Sequence, residues 1–96
     1  MFQLGNHDQN RVADRFHPKL VDGMHFIILL LPGTVMTYNG EEIGMVDTFV
    51  TWKQCLDPQG VNVGKEDYLA HTRDLERTPF QWDATDNAGT HLDVQN

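Results

Sequence analysis

Near the start of the chain, His7 and Asp8 place an imidazole and a carboxylate side by side, directly after an apolar stretch of Met1, Phe2 and Leu4. Polar groups where a buried parallel strand runs out point into the site that the strands share. In a loop the same pair can instead cap a turn, so its meaning depends on what accompanies it. Two further segments carry chemistry-bearing side chains: Thr37-Tyr38-Asn39-Gly40-Glu41-Glu42-Ile43-Gly44-Met45 and Glu76-Arg77-Thr78-Pro79-Phe80-Gln81-Trp82-Asp83. Glu41 and Glu42 have the composition of a general acid and base pair. Adjacent residues of an extended chain project to opposite sides, however, so both seldom face one scissile bond, and structural roles are expected for them. His7, Asp8, His17 and His25 do not form a metal set, because no His-x-x-x-His or His-Glu pair falls on one helical face.

Composition narrows the function classes. The net charge of -7, with a pI near 4.9 and seven Lys and Arg spread over 96 residues, leaves no basic patch for nucleic-acid phosphates. The longest apolar run, Phe26 to Leu31, is far shorter than the roughly twenty residues of a membrane helix. The first residues lack the basic start and long apolar core of a signal peptide. The one cysteine, Cys55, has no internal disulfide partner.

The elements that must position these groups read as follows. Phe2 to Leu4 predicts a short buried strand, and Asn6 to Asn10 a polar turn. From Pro18 the pattern turns helical, since Leu20, Val21, Met24, Ile27, Ile28 and Leu31 recur at spacings of three and four. Pro18 suits the first helical turn and Pro32-Gly33 ends the helix. Gly23 costs the helix interior roughly 1 kcal/mol relative to Ala, which predicts a close neighbour there. Thr34-Val35-Met36-Thr37-Tyr38, β-branched and aromatic, predicts the next strand, closed by Asn39-Gly40. Strand, helix and strand form one βαβ unit of an α/β fold with a parallel sheet. Residues 46–83 show no sustained period, with turn signals at Pro58-Gln59-Gly60 and Asn62-Val63-Gly64, and predict a long functional loop.

Together the Asn6-His7-Asp8, Tyr38-x-Gly40-Glu41-Glu42 and Arg77-Thr78-Pro79-x-Gln81-Trp82 segments resemble glycoside hydrolase family 13, the α-amylase family, and within it the insect-type α-glucosidases or maltases. The resemblance runs over nearly all of residues 4–89. It implies a partial TIM (β/α)8 barrel covering about strand 7 to the loop after strand 8. Because such a barrel needs about 250 residues, residues 1–96 are expected to be one fragment of the catalytic barrel domain, with the remainder of the barrel missing from this chain.

What the resemblance implies about residues is specific. Asp8 takes the position of the family's third catalytic carboxylate, a transition-state stabiliser that grips sugar hydroxyls, with His7 as its hydroxyl-binding neighbour. Arg77 takes a position near the glucose-binding subsite, where a guanidinium can pair with carboxylates and donate to hydroxyls at once. A surface ion pair of Arg77 with Asp74 or Glu76 is the alternative reading. Arg11 either orients the loop after Asp8 or is structural. Trp52, Phe80 and Trp82 could stack on sugars, with core packing expected for at least two of them. The family's nucleophile lies in an Arg-x-Asp motif, and no Arg-x-Asp occurs in this sequence. The resemblance therefore implies one of three catalytic carboxylates in these residues and no hydrolysis by them alone. It further implies an oligosaccharide substrate of the maltose kind, no cofactor, no calcium site here, and an extracellular or surface-anchored location. The competing function is the amylase-like, non-catalytic heavy subunit of an amino-acid transporter. One departure from the family pattern is Thr90, which follows Asn87-Ala88-Gly89 where an aromatic is usual.

Overall fold

A computed structural model describes residues 1–86, so the departure at Thr90 lies outside the described residues. Strand β1, Phe2–Gln3, pairs in parallel with β2, Val35–Met36, with Phe2 opposite Val35 and Gln3 opposite Met36. The Phe2 N–H donates to Thr34 O at 2.8 Å. Both strands are shorter than the sequence predicts. At the end of β2, Tyr38 gives its N–H to the Glu41 carboxylate at 3.2 Å, a turn contact that takes the place of a strand partner.

Between the strands run α1, Val12–Arg15, a 3₁₀ turn at Pro18–Leu20, and α2, Val21–Leu30. The helix predicted from Pro18 is thus present, with its first turn tightened and its N-terminus capped by His17 Nδ1, which accepts from the Lys19 N–H at 3.2 Å. The short α1 was not signalled by any period. Its Val12 and Ala13 form the buried cluster with Val21, and Leu4 and Met24 pack against it. Gly23 is corrected: a side-chain carbon there would meet nothing within 4 Å. It lies on the open side of α2, as do Phe26, Ile27, Leu29 and Leu30, each more than three-fifths exposed. So large a contiguous apolar face requires a covering layer in a stable domain.

The predicted loop of residues 46–83 is mostly irregular, but it contains a real helix, α3, Pro58–Val63, flanked by 3₁₀ turns at Trp52–Gln54 and Tyr68–Ala70. The turn signal at Pro58-Gln59-Gly60 misled because Asp57-Pro58 is a cap followed by a first helical residue. Asp57 Oδ1 accepts the Gln59 N–H at 3.3 Å, and Gly64, at φ 92°, ends the helix. No helix among the described residues is long and apolar enough to cross a membrane.

Candidate functional site

β1 and β2 run side by side in one direction, so the residues leaving their C-terminal ends share one edge. An open cleft of about 340 Å³ forms there, lined by Gly5, Asn6, His7, Asp8, Thr37 and Tyr38 among others. The turn that presents Asp8 is built by Asn6, whose Oδ1 accepts the Asp8 N–H at 2.8 Å. His7 Nε2 lies 3.4 Å from Asp8 Oδ2. Gly5 is required at the base of the turn, because any β-carbon would collide with the Glu41 carboxylate and touch Val12 at 3.1 Å.

Asp8 is half exposed, yet it is firmly held. Its Oδ1 accepts from Arg77 NH2 at 2.8 Å and from Arg73 NH1 at 2.9 Å. Arg77 also donates from Nε to His7 O at 2.7 Å, gripping the turn at two points. Partial desolvation acts to raise the Asp8 pKa. The hydrogen bond from Arg73, the charges of His7 and Arg73 and the hydrogen bond from Arg77 outweigh it and keep the carboxyl below its usual range. The structure thus brings His7, Asp8 and Arg77 together. It does not show the alternative pairing of Arg77, since Asp74 is occupied by the Leu56 and Asp57 N–H groups at 2.7 and 2.9 Å.

Arg73 is the member that sequence reasoning missed. Its Nε and NH2 form a fork on Asp57 at 2.9 and 2.8 Å, and its N–H donates to the same carboxylate at 2.7 Å. The hydrogen bonds from Arg73 hold the Asp57 carboxyl far below the usual range, and the Arg73 pKa is raised in turn, first by Asp57. The available signal was an Asp-Pro helix start combined with an Arg-Asp pair in a chain poor in cations.

Other candidates resolve into structural parts. Arg11 is buried under the turn, its NH1 donating to Asn39 O at 2.8 Å and its guanidinium lying 5.1 Å from the Tyr38 ring centre. Glu41 is buried, accepting from the Tyr38 N–H and lying 3.0 Å from His25 Nε2, while Glu42 accepts the Gly40 N–H at 2.9 Å. The expectation of core packing for the aromatics is corrected: Trp82 is exposed and Trp52 and Phe80 are half buried. Trp52 meets Tyr68 edge-on at 5.4 Å, and Phe80 tilts against Trp82 at 4.6 Å. They lie on a loop whose backbone is organised by polar pairs, so they pack locally at its surface. Among the described residues no three His, Cys, Asp or Glu converge as a metal site would require.

A carboxylate gripped by two guanidinium groups thus stands where the two parallel strands end. The family model for the α-amylase catalytic domain matches residues 1–95. The chain belongs to the α-amylase family. It is 45% identical over 86 residues to Maltase A1 of Drosophila melanogaster and 48% identical over 85 residues to an α-glucosidase of Apis mellifera. These matches take in 90% and 88% of the chain but 15% of each relative, so the chain spans about a seventh of their length. The amino acid transporter heavy chain SLC3A1 of Mus musculus is 38% identical over 88 residues, or 92% of the chain and 11% of that protein. Among solved structures, the trehalulose synthase MutB of Pseudomonas mesoacidophila superposes with a TM-score of 0.76 at 30% identity, over 92% of this chain and 20% of that one. Other MutB crystals are complexes with glucose and with the substrate sucrose. This α-amylase-family segment is therefore a mixed α/β piece matching about a fifth of such a chain.

Proposed function

We propose that this segment runs from strand 7 to the loop after strand 8 in the catalytic barrel of a retaining α-glucosidase that removes terminal α-linked glucose from maltose-like oligosaccharides or sucrose. Asp8 is the transition-state stabiliser, and His7 and Arg77 bind substrate hydroxyls beside it. The observation that carries this reading is the state of Asp8: one oxygen is fixed by two guanidinium groups, while the other, among the described residues, has only His7 Nε2 nearby, at 3.4 Å, at the rim of an open cleft. An ionised carboxylate so held can accept sugar hydroxyls in bonds that shorten as the ring flattens toward an oxocarbenium ion. Binding that strengthens only in the transition state raises turnover. The nucleophile and the general acid belong to other strands of the barrel, and the parent works outside the cell or anchored at its surface.

A second reading, the non-catalytic heavy subunit of an amino-acid transporter, draws on the likeness to SLC3A1. The intact Asn6-His7-Asp8 turn and Arg77 favour the enzyme. In a full catalytic domain carrying this segment, Asp8→Asn is expected to lower kcat for nitrophenyl α-glucoside by about two orders of magnitude or more while the fold persists. Activity within about tenfold of the parent would make Asp8 a turn residue. A folded parent with no glucosidase activity at all would favour the transporter reading.

A further inference from the structure

We propose that Arg73, pinned by Asp57, is a positioning residue for Asp8, so that the long loop after β2 sets the orientation of the carboxylate; this rests on the function proposed above. The geometry is directional. Asp57 has no exposed side-chain surface and is itself fixed, as the N-cap of α3 and through its N–H on Asp74. The planar guanidinium spends Nε and NH2 on the two oxygens of Asp57, which leaves NH1 aimed outward in one direction, onto Asp8 Oδ1 at 2.9 Å. A half-exposed carboxylate would otherwise rotate about its last bond. With Arg73 on one side and Arg77 on the other, both on Oδ1, Oδ2 is presented in a single orientation.

Arg73 need not touch the sugar for this role. If it served only to staple the loop to α3, its fork on Asp57 would suffice, and the NH1 contact to a residue 65 positions away would be idle. Lysine cannot replace it, because one ammonium group cannot span Asp57 and Asp8 in this planar arrangement.

The test uses a full catalytic domain carrying this segment, with Asp8→Asn assayed in parallel. Arg73→Ala is expected to lower kcat about tenfold to a hundredfold with KM little changed, the size of loss that a displaced catalytic group produces. Added guanidinium should restore part of that kcat, and should restore none in Asp8→Asn. Asp57→Asn, which preserves side-chain shape, should lower kcat in the same sense and serves if Arg73→Ala does not fold. Parental kcat in Arg73→Ala or in Asp57→Asn overturns the inference, even if the melting temperature falls. A kcat loss in Arg73→Ala that guanidinium leaves untouched overturns it as well. Parental activity in Asp8→Asn would instead remove the proposed function beneath it.

Discussion

Gly40 and Gly44 bracket the 3₁₀ turn that seats Glu41 and Glu42, and both have positive φ, 97° and 67°. Replacing either by Ala puts a β-carbon where L-residues are disfavoured, at about 1–2 kcal/mol. Both substitutions also restrict the unfolded chain, which returns about 0.4–1 kcal/mol. The unfolded-chain contribution is shared, whereas Gly40, farther from the left-handed basin open to L-residues, carries the larger backbone cost, so backbone and packing act in the same direction. At Gly44 a β-carbon meets nothing within 4 Å. At Gly40 it would collide with Met45 Sδ and lie 2.8 Å from Arg11 NH1 and 3.0 Å from Met45 Cγ. Those atoms end flexible side chains, but Met45 and Arg11 are both buried, and Arg11 NH1 is committed to Asn39 O. Overpacking of this kind costs about 1–3 kcal/mol.

Gly40→Ala should therefore be less stable than Gly44→Ala by about 1–3 kcal/mol, read as thermal midpoints of a full catalytic domain at one scan rate. At about 2–4 °C per kcal/mol for domains of 150–250 residues, and less for larger ones, Gly40→Ala should melt below Gly44→Ala by about one to a few degrees. Two variants that melt together would show that Arg11 and Met45 are free to move aside. The account of a rigid, buried support beneath the site turn would then fail.

Gly60→Ala should destabilise despite raising helix propensity, because the gain of about 1 kcal/mol is opposed by contacts at 2.7 Å to Thr72 Cβ and 2.9 Å to Cys55 Sγ, an overpacking cost of about 1–3 kcal/mol. Since Thr72 adjoins Arg73, kcat should fall along with the melting point, and a variant more stable than the parent would contradict the packing. Burial, and then the charge of Asp47, pushes Glu76 above its ordinary value of 4.5, so the folded state holds that proton more tightly than the unfolded chain. Stability from this group is full below 4.5 and falls as pH rises through the shifted value, so Glu76→Gln should flatten that fall and melt above the parent at neutral pH. A parental melting profile against pH would refute it.

Much of the site was legible because its signals are local. An apolar stretch ahead of Asn6-His7-Asp8 and a β-branched run ahead of Tyr38 each mark a strand with its polar exit, and the helical spacing between them requires the two strands to be parallel. The support of Asp8 was illegible for a physical reason: α3 has no apolar period over its six residues, and it is held by Asp57, Asp74 and Arg73. Hydrogen-bonded polar pairs leave no periodicity in a sequence, and their partners here stand 16 to 18 positions apart, with Asp8 65 positions from Arg73. In a chain with only seven Lys and Arg against fourteen Asp and Glu, each Arg has several carboxylates to choose from. Its choice is made by burial, and only Asp57 among Arg73's two partners is withdrawn from water. Arg73 is therefore anchored at Asp57 and directed at Asp8, so the contacts that hold Asp8 come from a loop whose hydrophobic pattern carries no sign of them.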